Sequence, residues 1–418
     1  MRQLPFRRLF TRLNRPVPDG AGIVTAYTDG QVTLRSNRSK IGYHEAADLS
    51  GFQGVEVGDF VVHGLDIMRG SVGVAESSGA ISSVCTVCKP TGQIDPRYAA
   101  YAVRLQAASG FPKALARGVR EGGADFRRWD TLAELPIPAP PLDVQRAVVA
   151  FLARETDEID AFIADQEELV ELLAERRAAT ISHAVTKGLA PTVPMRDSGI
   201  AWLGQIPAHW VPLALKRVLR SVDQGISPQA EGGLADAESV GVLRAGCVNR
   251  GIFNELEHKR LPDGFAFDDS IRVKVGDLIV NRASGSPSLV GSAARVRALR
   301  YELILSDKTF RLRTLPSADL DFLELFLNSN PYRRQVLGAI SGAEGLANNL
   351  PLAALKEISL ALPPVDEQTR IVEAISKGLA QIDSAIADAR EAIKLSRERR
   401  AALISAAVTG KIDVRGVV

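Results

Sequence analysis

Cys85 and Cys88 stand three residues apart in ISSVCTVC and make a lone CxxC. That spacing holds a metal when a second pair completes the ligand set. The chain has three cysteines in all, so no second pair exists. In a strand-like run the two side chains point to opposite faces, so ordinary packing is expected and no metal site is assigned. SGSPSLVGS (284–292) comes nearest to a phosphate-cradling loop, but it is glycine-poor by that standard and has no lysine. His183 falls late in a helical stretch and reads as a helix-surface residue. Arg176-Arg177 and Arg399-Arg400 follow Glu175 and Glu398. They read either as a solvated helical face with local ion pairs or as contacts for a partner subunit. No catalytic residue is assigned.

The elements that carry these residues are set by an internal repeat. Residues 132–188 lie over 355–411 at a constant offset with no gap, and 24 of the 57 positions are identical. Among them are Pro140/Pro363, Pro141/Pro364, Asp143/Asp366, Gln145/Gln368, Asp160/Asp383 and Arg177/Arg400. Each copy opens on Pro-Pro, which suits a turn or extended segment, and then continues without proline as one long helix. Apolar residues recur every eleven positions: Val148, Ile159, Val170 and Ile181, then Ile371, Ile382, Ile393 and Ile404. A second stripe follows four residues behind, with Leu152, Ile163 and Val185 in one copy and Ile375, Ile386 and Val408 in the other. An eleven-residue period favours a nearly straight pairing of helices, and a helix of about 44 residues would be ~65 Å long. With so narrow an apolar stripe each helix needs a partner, and the other copy is the obvious one. Gly378 is a weak point in the second helix.

Residues 1–131 and 191–354 do not align beyond their beginnings, LPFRRLF and LALKRVL. Both are rich in Gly, Val and Ser, with strand-like stretches such as GDFVVHGLDI and GDLIVNRAS, and read as mixed domains dominated by strands. The chain's 418 residues suit two to four domains. No apolar run approaches the roughly 18 residues of a membrane span, and no apolar leader is seen, so a cytoplasmic setting is expected. The total charge of +2 hides its distribution. Residues 1–131 carry 17 Lys+Arg against 12 Asp+Glu, and 132–190 carry 5 against 11. Residues 191–354 carry 19 against 17, and 355–418 carry 10 against 9. Basic domains joined by an acidic helix suit a polyanion partner, although the second domain's excess is small.

LPIPAPPLDVQRAVVAFL, AERRAATISHAVTKGL, RDSGIAWLGQIPAHW, ALPPVDEQTRIVEAI and RERRAALISAAVTGKI, taken in this order, resemble the specificity subunit of type I restriction-modification enzymes. The likeness covers nearly the whole chain. One departure is Val144-Gln145 at the first helix start, where the second has the usual Glu367-Gln368. The resemblance implies an α+β fold: two mixed, strand-rich target recognition domains (1–131 and 191–354) separated by two long antiparallel, coiled-coil-like helices (132–190 and 355–418), with pseudo-twofold symmetry. It implies a non-enzymatic DNA sequence-specificity subunit with no cofactor of its own. Its partners would be double-stranded DNA, two modification subunits that methylate adenine from S-adenosylmethionine, and two restriction subunits using ATP and Mg. An adenine methyltransferase needs a polar-Pro-Pro-aromatic motif. Ala139-Pro140-Pro141-Leu142 and Leu362-Pro363-Pro364-Val365 lack both ends, so that chemistry is expected elsewhere.

For base readout, arginine suits guanine, and asparagine or glutamine suits adenine. The candidates in the first domain are Arg35, Arg38, Lys40 and Arg69, with Arg117, Arg120, Arg127 and Arg128 leading back toward the helix. In the second they are Arg244, Asn249, Arg282, Ser284, Ser286, Lys308, Asn348 and Asn349. Any one of them is as well suited to a phosphate as to a base. The rival reading is a coiled-coil scaffold that only joins protein partners.

Overall fold

The computed structural model describes residues 2–38, 51–110, 119–120, 123–230, 232–249, 251–340 and 348–414. The two long helices run from Leu142 to Lys187 and from Val365 to Val408, each starting directly after its Pro-Pro. The remaining chain is short strands and shorter helices. It forms two compact units: residues 1–167 with 391–418, and residues 168–390. The unit boundaries therefore fall inside the long helices, and not where the repeat begins and ends.

In the first unit a four-stranded antiparallel sheet has the order Phe10–Leu13, Cys85–Pro90, Phe60–His63, Val72–Val74. The chain then enters the helix Pro96–Ser109, whose N-cap Asp95 accepts from the Arg97 and Tyr98 amides. Gln3–Pro5 pairs antiparallel with Pro136–Pro138, tying the chain's start to the strand that leads into the long helix. Phe6, Phe10, Phe60, Tyr98 and Phe126 fill the core.

The second unit repeats this plan. Its sheet has the order Leu219–Gln224, Thr309–Thr314, Leu278–Asn281, Ala293–Arg295. Leu320–Leu327 follows the sheet, capped by Asp319, and Val211–Ala214 pairs with Ser359–Leu362. Trp210, Phe310, Phe322, Phe326 and Tyr332 are the large buried residues. The two domains thus share one topology that their sequences do not reveal, because a core requires only apolar volume at the right positions. What differs is inserted between the first and second strands and, for one strand in each unit, between the third and fourth. The first unit carries the hairpin Val24–Ala26/Val32–Leu34, and Phe52–Val55 paired with Gly79–Ser82. The second carries a three-stranded sheet of His258–Arg260, Val240–Leu243 and Glu302–Ile304.

A shared turn starts the second strand of each sheet. Gly58 and Gly276 adopt φ of 92° and 95°, a left-handed conformation that glycine takes without cost. The carboxylates of the next residues, Asp59 and Asp277, accept from the amides of Glu56 and Lys274, each at 2.8 Å. This is the role of the Gly-Asp in GDFVV and GDLIV.

The apolar stripes do two jobs. Val148, Leu152 and Val408 join the first core, with Ile404 against it. Ile181, Val185, Ile371 and Ile375 join the second. The sequence reading assigns all of these to helix pairing; in the structure the ends of the stripes, with residues of both helices together, also complete the globular cores. The remaining positions are buried at Ile159, Ile386 and Ile393, and half-buried at Ile163, Val170 and Ile382.

Within each unit the segments of the two helices run antiparallel, locked by the same ion pair. Arg400 meets Asp160 at 2.9 Å in the first unit, and Arg177 meets Asp383 at 2.8 Å in the second. Asp160/Asp383 and Arg177/Arg400 are equivalent repeat positions, so one contact is made twice. Arg397 adds a pair with Glu167 at 2.7 Å.

Candidate nucleic-acid interface

The second unit gathers most of its candidates at one place. The strand Ala283–Ser284 pairs antiparallel with Asn348–Asn349, which sets Ser284 opposite Asn348. The Arg282 amide donates to the Lys308 carbonyl at 2.8 Å, and the Leu350 amide to the Arg282 carbonyl at 2.9 Å. Arg282, Ser284, Lys308, Asn348 and Asn349 are therefore neighbours through the backbone. Ser286 lies on the loop just beyond, its hydroxyl 2.8 Å from that of Ser288. Arg244 precedes the turn Ala245–Cys247, which touches Ala283–Ser284, and exposed Asn249 follows it. Their side chains are only partly engaged. Lys308 pairs with Asp307 at 3.0 Å, and Arg282 donates to the Asp307 carbonyl at 3.1 Å.

The first unit builds the same junction from other residues. The Phe126 amide donates to the Gly64 carbonyl at 2.7 Å, the counterpart of the Leu350–Arg282 bond. The backbone approach is close: a Cβ on Gly64 would lie 2.9 Å from the Arg127 Cα. The hairpin strand Gly123–Ala124 touches the turn Ile67–Arg69, and Arg120 lies on the partner strand Val119–Arg120. Arg69, Arg127 and Arg128 are exposed around this junction, Arg69 with 66% of its side chain accessible. Arg127 forms a paired contact with Asp125 at 2.7 Å.

Arg35 and Arg38 follow the Val32–Leu34 strand. Arg35 donates to the Thr25 hydroxyl at 2.9 Å. Arg38 pairs with Asp29 at 2.7 Å and lies over the Tyr27 ring. Lys40 and Arg117 fall outside the described residues.

Cys85 and Cys88 pack into different apolar clusters on the two faces of their sheet, as strand alternation requires. Burial pushes both thiols up to about 12, which suits inert packing residues. His183 is exposed. Arg176 and Arg399 are exposed too, whereas Arg177 and Arg400 are held by the aspartates of the opposite helix and not by their neighbouring glutamates.

Sequence reasoning missed the work of Gln145 and Gln368, although their identity in the repeat was a signal. Both are fully buried. Gln145 accepts from the Asp95 amide at 2.7 Å and donates to the carbonyls of Gln93 and Pro140. Gln368 accepts from the Asp319 amide at 2.7 Å and donates to Ser317 and Pro363. Each stitches the start of a long helix to the N-cap of its domain's helix. The Val144/Glu367 departure also has a reason: Glu367 meets His209 at 2.7 Å, next to buried Trp210 in the second domain's opening motif.

No family model matches the chain. It is 23% identical over 286 residues to the type I restriction enzyme EcoKI specificity subunit of Escherichia coli, covering 67% of this chain and 58% of that one. With the StySPI specificity subunit of Salmonella potsdam it shares 25% over 211 residues, 50% of this chain and 44% of the relative. The alignments thus span about half the length of these curated relatives. A solved chain from a study of complex assembly and conformational transition of the type I R-M system has the same fold. It gives a TM-score of 0.69 at 14% identity over 97% of both chains. In sequence the chain is similar to type I restriction enzyme specificity subunits, and in fold to a chain of a type I R-M system. The junctions around Gly64 and Arg282 are closed by the same kind of backbone bond and carry different polar side chains. No helix among the described residues is long and apolar enough to cross a membrane.

Proposed function

We propose that this chain is the DNA sequence-specificity subunit of a cytoplasmic type I restriction-modification complex, reading the two halves of a bipartite, non-palindromic target. One observation carries the reading: a single domain plan occurs twice, with unlike polar side chains presented at the same junction. Equal scaffolds bearing unequal contacts suit half-sites of different sequence. Methyl transfer from S-adenosylmethionine belongs to two modification subunits, and ATP- and Mg-dependent cleavage to two restriction subunits. Exposed apolar residues on the long helices support a docking role there: Leu172 and Leu395, equivalent in the repeat, are 55% and 54% accessible. Each lies four residues before one of the exposed arginines, Arg176 and Arg399, so the surface is both apolar and basic.

The test is selection from a pool of randomised duplexes by the chain assembled with its modification subunits, followed by sequencing of the bound fraction. Two short, different motifs separated by an unread spacer are expected. A continuous palindrome, or no motif, overturns the reading. A scaffold that only joins proteins would bind no duplex in a salt-dependent way.

A further inference from the structure

We propose that Arg333, with Tyr332 beside it, is a positioning residue that presets the loop Ser284–Leu289 for base reading, so that one half of the DNA motif depends on a helix that reads no base itself. The inference rests on the recognition-subunit reading above.

Five consecutive backbone carbonyls, from Pro287 to Gly291, are each taken by a side chain. The Arg333 guanidinium donates to Pro287 at 2.8 Å, to Ser288 at 3.3 Å and to Val290. Fully buried Asn281 donates to Leu289 at 3.2 Å, and the buried Tyr332 hydroxyl donates to Gly291 at 2.8 Å. Gly291 has φ of 81°, and a Cβ there would lie 2.9 Å from Val336, so the loop's return is close-packed against the helix Asn330–Ala339. With its carbonyls held on the inner side, the loop leaves Gly285, Pro287 and Ser288 exposed at its tip, and the Asn348 amide reaches over to the Gly285 carbonyl at 3.4 Å. A serine-rich loop without such ties would lose its freedom only on meeting DNA, at the expense of affinity and selectivity. Here the fold has ordered it beforehand.

The arginine's own chemistry distinguishes positioning from plain charge. Among the described residues it has no carboxylate partner, and burial pulls its pKa down. Its fork serves carbonyls, a geometry a lysine cannot reproduce while keeping the same charge.

The test is the randomised-duplex selection, repeated on the assembled complex with Arg333→Lys and, separately, Tyr332→Phe. Both variants are expected to flatten one half-motif, lowering discrimination there by about tenfold, the scale of one base contact. The other half-motif and the affinity for unselected DNA should stay within about twofold of the wild type. Both half-motifs intact in both variants would overturn the inference. So would a uniform weakening over both halves, which would make Arg333 a phosphate contact or a prop of the whole fold. A wild-type complex that selects no motif would instead sink the recognition-subunit reading, and this inference with it.

Discussion

Arg311 is a cation with 1% of its side chain accessible, held by Asp223 at 2.6 Å and Asp277 at 3.1 Å and by the carbonyls of Arg272 and Ser270. Two carboxylates and two carbonyls around one fork leave little of its charge uncompensated. Truncating one member of such a network strands the others in a poor solvent. Arg311→Ala should therefore destabilise the second unit by about 3–5 kcal/mol, read as a lower urea midpoint. Burial pushes the Asp223 carboxyl up, but hydrogen bonds and charge from Arg311 and Arg313 outweigh it and hold the group below its ordinary 3.8. A carboxyl depressed in the fold contributes stability that is full above its unfolded value and is lost as pH falls through the lower folded one. The wild type should accordingly lose stability below about pH 4, and Asp223→Asn should be weaker at neutral pH but less acid-sensitive. Equal acid slopes for the two proteins would refute this. None of this network is readable along the chain, where its members lie up to 90 positions apart.

The buried glutamines act at the level of elements. Gln145 and Gln368 are fully buried, and each makes three hydrogen bonds that join a long helix to its domain's helix. Either Gln→Ala change leaves buried backbone groups unpaired, and should cost about 1–3 kcal/mol in thermal unfolding. An effect near zero would mean that water enters the site. Gly378 makes the opposite prediction. A Cβ there would meet nothing within 4 Å in mid-helix, so Gly378→Ala should stabilise by about 1 kcal/mol; a loss of stability would mean the glycine is needed where it stands. The long helices were legible because proline punctuation and an eleven-residue apolar period are local signals. The strands' shared plan was not. The unlike inserts break any alignment, and each sheet pairs its first strand with its last, a contact between positions such as Phe10 and Pro90 that no local pattern encodes.

For the whole molecule, on the recognition-subunit reading proposed above, an acidic first helix flanked in sequence by two basic domains would leave contact with duplex DNA to the domains. Helix length should set the unread spacer. Eleven residues inserted in register into both helices add about 16 Å to each and should lengthen the spacer of the selected motif, whereas an unchanged spacer would remove helix length as its determinant. The repeat, the two long helices, the unlike domains and the absence of motifs for methyl transfer or ATP binding were all determined by the sequence, since each is written in neighbouring residues or in a fixed offset. Tertiary structure alone decided that the domains are duplicates, and that Arg177 and Arg400 face aspartates of the opposite helix. It also decided that the candidates from Arg282 to Asn349 share one junction, and that Arg333 lies beneath it. Those facts depend on which distant segments pack together, and packing is settled by the burial of whole apolar faces, to which no single stretch of the chain holds the key.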